Sequence, residues 1–161
     1  MHSGVRAQRL CLELTESMLM RDSGCGTDVL GELRALGVGL ALDDFGTGYS
    51  SLGRLRHLRA DRLKIDRSFI ADAAEEPIVA AIVGMARGLG LAVTAEGIET
   101  REQFERVRSL GCDAAQGFLL ARPGPPEEVA GLLSVPLAPL PLASLRRAAG
   151  SGRPAAARRS P

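Results

Sequence analysis

The stretch VGLALDDFGTGYSSL (residues 38–52) joins a short apolar run to two adjacent carboxylates and a turn rich in glycine and serine. In the run, bulky and small residues alternate, so the bulky ones share one face of a strand and Asp43 lies on the other. Neighbouring acids at the end of a buried strand are costly unless a cation lies beside them. The stretch therefore predicts a strand that ends at a charged site.

The same alternation recurs in other short apolar runs, which read as strands. With VGLAL (38–42), the predicted strands are LCLEL (10–14), RLKI (62–65), LAVT (91–94) and QGFLL (116–120). Helices are predicted between and after them, at 27–36, 51–58, 77–89, 101–110 and 126–133. Gly37, Gly90 and Gly111 follow three of these helices as C-caps, and Thr100 with Gln103 makes a capping box.

The order of these elements predicts an α/β fold. Successive strands lie roughly 25 residues apart, the size of a βα unit in a parallel sheet. The first four strands each combine a bulky aliphatic face, suited to a cover of helices, with an opposite face that ends in an ionisable residue. A (β/α) barrel builds its active site at the carboxyl ends of its strands.

Six ionisable residues occupy these strand ends: Glu13, Asp43, Asp44, Lys64, Asp66 and Glu96. Each acid alone could cap the helix that follows, but the repetition on one face favours a bound cation. Carboxylate oxygens favour Mg²⁺ or Mn²⁺, whereas the isolated His2 and His57 do not indicate zinc. A divalent ion beside a lysine suits hydrolysis of a phosphodiester. It equally suits proton abstraction next to a carboxylate with lysine as the base.

Composition narrows the class of protein. Three cysteines in an odd, scattered set indicate reduced thiols and a cytoplasmic location. No apolar run predicts a signal peptide or a membrane segment. All nineteen acids precede residue 134, so the folded part is mildly acidic and no nucleic-acid polymer is expected as a partner. Residues 134–161, rich in Pro, Ala and Arg, are predicted to be a disordered tail.

Five motifs resemble, in order and spacing, the EAL-domain family of cyclic di-GMP phosphodiesterases. They are ELTE (13–16), LDDFGTGYSSL (42–52), LKIDRSFI (63–70), TAEGIET (94–100) and GCDAAQGFLLARP (111–123). The resemblance implies metal-dependent opening of cyclic di-GMP to a linear dinucleotide, and it places a partial EAL domain at residues 1–133. It also implies a homodimer through the 44–52 loop, which in this family links the metal site to a dimer surface.

The resemblance also implies roles for individual residues. Glu13, Asp43, Asp44 and Asp66 resemble the family's metal ligands. Lys64 resembles the cation that holds the attacking water, and Glu96 the acid that orients or deprotonates it. The implied contacts and supports are Gln116, Glu16 and Glu99, together with Thr47 and Gly48 of the loop that Glu16 steadies.

The chain departs from the family's pattern at two metal ligands. It contains no Glu-Ala-Leu sequence on an early strand and no asparagine at all. We therefore expect the C-terminal five βα units of a (β/α)₈ TIM-like barrel, incomplete at the N-terminus, with no useful hydrolysis by the isolated chain. Three interpretations stay open: an enzyme completed by an N-terminal portion, a non-catalytic regulatory or binding module, and a truncated relic.

Overall fold

The computed structural model describes residues 4–15, 18, 26–46, 58 and 60–134. Within these residues, five parallel strands form one sheet in the order of the chain. They are β1 (Cys11–Thr15), β2 (Gly39–Phe45), β3 (Arg62–Ile65), β4 (Ala92–Ala95) and β5 (Ala114–Ala115). Sequential order without reversal is the order of a (β/α) barrel, whereas a doubly wound sheet reverses. The α/β prediction is confirmed.

In the described part of the chain, five helices accompany the strands. They are α1 (Gly26–Ala35), α2 (Arg67–Ala71), α3 (Glu76–Gly88), α4 (Arg101–Leu110) and α5 (Pro126–Ser134), with single 3₁₀ turns at Ala7–Arg9 and Ala73–Glu75. The capping box is present, since Thr100 accepts from Gln103 N and the Gln103 side chain accepts from Thr100 N. Helix α2 was not predicted from the sequence, and the helix predicted at 51–58 lies outside the described residues except for Leu58.

The predicted strand QGFLL (116–120) is wrong. The fifth strand is Ala114–Ala115, and the chain then turns. Gly117 lies so close to the backbone of Ile98 that a side chain has no room, and Leu119 N donates to Ile98 O. Because the turn replaces an extended backbone, the apolar residues after Gly117 remain exposed instead of entering the core.

The core forms on the aliphatic face of β2, β3 and β4, where α3 and α4 pack. Its fully buried members include Leu42, Leu63, Ile65, Val83 and Val93. The compact unit that holds this core runs from Met1 to Arg122, and α5 belongs to a second unit, Pro123–Pro161. None of the helices in the described ranges combines the length and apolarity needed to span a bilayer.

The edge strand β1 does not share this burial. Within the described residues it pairs only with β2. Leu12 on its aliphatic face is 40% exposed, and Leu10, directly before the strand, is 49% exposed. An apolar edge with unpaired backbone groups is a template for pairing with another chain.

We therefore expect the purified chain to self-associate through β1. Light scattering should detect species larger than a monomer, and Leu12→Lys should return most of the protein to monomer because a charge at the edge blocks pairing. The matched control is Ile78→Lys, since Ile78 is similarly exposed (45%) but lies on α3. A monodisperse monomer of the unmodified chain would contradict the prediction.

A second prediction concerns Cys112, which lies between α4 and β5 and packs against the core. Burial, and next the charge of Asp113, raise the pKa of its thiol from 9.0 to about 11. The thiolate is the reactive form, and two pKa units correspond to about 100-fold less thiolate near pH 8.

Iodoacetamide should therefore alkylate Cys112 at least about 100-fold faster in urea than in the native chain. Peptide mass spectrometry measures both rates, with the exposed Cys11 as the internal reference; equal rates at Cys112 would contradict it.

Candidate metal centre

A β-bulge in β2 brings its two acids to one site. Leu42 pairs with Leu63 and Phe45 with Ile65, so two residues of β2 stand opposite Lys64 alone. Asp44 has a φ of +54°, in the left-handed region. Consecutive side chains of a regular strand point to opposite faces, and a bulge re-aims one of them. The bulge therefore allows Asp43 and Asp44 to reach the same site, which the alternation rule alone would not predict.

Lys64 lies at the centre of the site. Its Nζ is 2.7 Å from Glu13 Oε2, 3.0 Å from Asp43 Oδ1 and 2.6 Å from Glu96 Oε1. These carboxylates come from β1, β2 and the end of β4, while Lys64 itself is only 5% exposed. The structure thus brings four of the predicted site residues, Glu13, Asp43, Lys64 and Glu96, within ion-pair distance of one another through Lys64 Nζ.

The charge state of Lys64 follows from two opposing effects. Burial by itself lowers the pKa of this ammonium, but its close contacts with the Glu13, Glu96 and Asp43 carboxylates raise it by more. The net pKa therefore lies above its ordinary value, and Lys64 is a permanent cation in this arrangement. Four neighbouring carboxylates, counting Asp44, nevertheless outnumber the single ammonium.

The residues fit a divalent cation. Asp43, Asp44 and Glu96 each offer a carboxylate oxygen, and these atoms all lie within 4.8 Å of one another. Within the described part of the chain, the fully buried Asp43 Oδ1 has no partner with hydrogen-bond geometry, although Lys64 Nζ lies at ion-pair distance. A buried anionic oxygen without a hydrogen bond is costly, and an all-oxygen donor set suits Mg²⁺ or Mn²⁺.

Asp66 has a structural role at the start of helix α2. It is the N-cap of α2, and its Oδ1 accepts from Ser68 N at 2.9 Å and from Ser68 Oγ at 2.6 Å. The bond from the Ser68 side chain holds the pKa of Asp66 below its ordinary value. No role was predicted for Ser68, although an Asp directly before a helix is a capping signal.

Of the remaining predicted residues, the structure describes Gln116 and Glu99. Gln116 is exposed, and its backbone joins the strand ends, since Gln116 N donates to Ala95 O and Gln116 O accepts from Ile98 N. Glu99 is exposed, and its N–H donates to Gln103 Oε1. Glu16, Thr47 and Gly48, and with them most of the 44–52 loop, lie outside the described residues.

Comparisons with known proteins find one matching domain model and several similar proteins. A model of the EAL domain matches residues 1–123. The chain is 51% identical over 124 residues to MucR of Pseudomonas aeruginosa, a bifunctional diguanylate cyclase/cyclic di-GMP phosphodiesterase, covering 74% of this chain and 18% of MucR.

Two solved structures show the same similarity in three dimensions. The MucR phosphodiesterase in complex with cyclic di-GMP has a TM-score of 0.73 and 49% identity, covering 78% of this chain and 52% of that one. A manganese/cyclic di-GMP complex of Klebsiella pneumoniae BlrP1 has a TM-score of 0.69 and 37% identity, covering 74% of this chain and 32% of that one. The chain thus spans about half of the MucR domain and a smaller share of the full-length relatives.

Proposed function

The chain belongs to the EAL-domain family, and on that premise we propose that its residues form part of a metal-dependent site that hydrolyses cyclic di-GMP to a linear dinucleotide. The observation that carries the proposal is the convergence of Lys64 with three carboxylates from three strands. The curated relatives that are described as cyclic di-GMP phosphodiesterases support the choice of substrate.

Asp43, Asp44 and Glu96 would hold the divalent cation, with Glu13 adding a carboxylate from β1. When bound, Mg²⁺ or Mn²⁺ supplies Lewis-acid polarisation of the phosphodiester oxygens. The manganese complex of BlrP1 supports this choice of metal. Both hydrogen bonds from Ser68 end on Asp66 Oδ1, so the metal-site role proposed for Asp66 rests with its Oδ2.

The chain's own groups would handle the attacking water. Lys64, a fixed cation among the carboxylates, orients the water oxygen and offsets negative charge that develops as the oxygen attacks phosphorus. Glu96, whose Oε1 lies 2.6 Å from Lys64 Nζ, would accept the proton that the water loses. The water oxygen would bond to phosphorus as the bond from phosphorus to one ester oxygen breaks. The leaving oxygen takes a proton from solvent and becomes a hydroxyl of the linear dinucleotide, which opens the ring.

A chimera tests the proposal. Residues 1–122 would replace the matching part of the MucR phosphodiesterase domain, to which they are closely similar. With Mn²⁺ or Mg²⁺ we expect hydrolysis within about tenfold of the MucR parent, a difference of ~1.4 kcal/mol in the barrier. A folded chimera without hydrolysis would refute the phosphodiesterase assignment, and binding of cyclic di-GMP without turnover would favour a non-catalytic module.

Two further parts of the proposal concern assembly and place of action. We propose a homodimer through the 44–52 loop, because that loop follows directly from the metal-site bulge at Asp43 and Asp44. We propose the cytoplasm as the compartment, on the ground of the scattered cysteines. Chemical cross-linking of the chimera, with and without cyclic di-GMP, tests the dimer.

A further inference from the structure

Helix α2 touches the two loops that follow the acidic strand ends. On one side the Phe69 ring lies against Gly46, where an added Cβ would be 2.8 Å from Phe69 Cε2 and 2.9 Å from Cζ. On the other side Arg67 lies against Gly97, where an added Cβ would overlap the Arg67 Cβ and lie 3.2 Å from its Cα. Both glycines have positive φ, +98° at Gly46 and +67° at Gly97.

These two glycines are close in sequence to the carboxylates of the site. Gly46 comes two residues after Asp44, and Gly97 directly follows Glu96. At these distances the helix and the two glycines cannot approach one another further, because packed protein has low compressibility. A shift of α2 would therefore press on both loops together.

Helix α2 is itself held firmly. Asp66 caps its first turn, Ile70 is fully buried in the core, and Arg106 of α4 donates to Ile70 O. The helix also follows β3, which carries Lys64. Helix α2 is thus connected to β3, the strand of Lys64, and it contacts the segments that follow β2 and β4.

We propose that α2 acts as a wedge that sets the distance between the Asp43–Asp44 bulge and Glu96, with Arg67 and Phe69 as positioning residues for the divalent cation. This inference rests on the proposed function, since it assigns a support to that same site. It explains why glycine occupies positions 46 and 97: any side chain there would displace the wedge. Residues that support metal ligands from outside typically contribute 10- to 100-fold to affinity.

The test uses the full chain and Mn²⁺ alone as the probe. Gly46→Ala and Gly97→Ala should each lower Mn²⁺ affinity by at least about tenfold, measured by calorimetry or by the electron paramagnetic resonance of free Mn²⁺. The matched control is Gly90→Ala. Gly90 also has positive φ, +74°, but an added Cβ would meet nothing within 4 Å, so it reproduces the backbone strain without the wedge contact. An equal loss of affinity in all three variants would overturn the proposal.

A second readout needs no metal. In ¹⁵N–¹H spectra of the metal-free chain, Gly97→Ala should shift the amides of Asp44 and Gly46, and Gly46→Ala should shift those of Glu96 and Gly97. Purely local strain would leave the opposite loop unmoved, which would refute the wedge. Should the parent chain bind no Mn²⁺, these reciprocal shifts would decide for or against the wedge, and the metal part of the proposed function would be tested by Mn²⁺ binding to the chimera.

Phe69→Leu tests the same contact without adding a side chain, in case the alanine variants fail to fold. It removes the ring from Gly46 without adding a clash and keeps an aliphatic side chain toward the core. We expect a loss of Mn²⁺ affinity of about tenfold with little change in the melting temperature. Parent-like affinity in Phe69→Leu would count against the wedge.

Discussion

Replacing Lys64 by arginine in the chimera should lower hydrolysis of cyclic di-GMP at least about 100-fold while the fold persists. That factor is roughly 2.7 kcal/mol of transition-state stabilisation, within the range of one well-placed electrostatic contact. Lys64 Nζ lies between 2.6 and 3.0 Å from three carboxylate oxygens of different strands. A compact ammonium can meet three directions at once, whereas a guanidinium is a planar fork. The site also has little spare room, since Lys64 is 5% exposed.

The amino-acid composition also indicates that position 64 requires lysine. Nineteen of the twenty basic residues are arginine, and Lys64 is the one lysine. A lysine that merely paired with acids could be arginine, as elsewhere in the chain.

The control for Lys64→Arg is the reverse exchange on the same strand. Arg62→Lys alters an exposed residue whose Nη1 donates to Thr94 Oγ1, away from the carboxylate cluster. Its rate should stay within a few-fold of the parent. Steady-state rates with saturating Mn²⁺ and circular dichroism measure activity and fold separately. If Lys64→Arg also stays within a few-fold of the parent, Lys64 is a structural ion-pair partner and not a catalytic residue.

The second large effect is expected from Asp43→Asn. This change keeps the size of the side chain and removes the anionic charge from the buried Oδ1, which lacks a hydrogen bond in the described structure. Loss of a hard anionic ligand should exceed the 10- to 100-fold effect of an outer support. We therefore expect Mn²⁺ affinity and hydrolysis by the chimera to fall together, each by at least about 100-fold.

An acid in a capping role serves as the control for Asp43→Asn. Asp72 accepts from Ala74 N at the start of the 3₁₀ turn Ala73–Glu75, and asparagine caps nearly as well as aspartate. Asp72→Asn should therefore leave both the affinity and the rate unchanged. Calorimetry with Mn²⁺ and a hydrolysis assay compare the two variants. Parent-like affinity and turnover in Asp43→Asn would mean that Asp43 is no ligand and that the assigned centre is wrong.

Local patterns in the sequence were enough to assign the faces of the strands. Because side chains alternate along a strand, the run around residues 38–42 already separates a core face from an acidic face, and the same holds for Lys64 and Glu96. Helix ends were also predictable where a local signal exists, such as Thr100 with Gln103 or the C-cap glycines. The choice of reaction, hydrolysis of a phosphodiester, came from the family resemblance and not from these local patterns.

Tertiary structure decided what depends on pairing between distant segments. The bulge that unites Asp43 with Asp44 arises from the register between β2 and β3, and a one-residue change in register has no local signature. The turn after Ala115 results from contact with Ile98, which overrides an apolar run that reads as a strand. The close fit of Gly46 and Gly97 against α2 is likewise invisible in a linear pattern. Alternation assigns a side chain to a face, but only the packed fold sets the ångström-scale distances between side chains on which a metal centre depends.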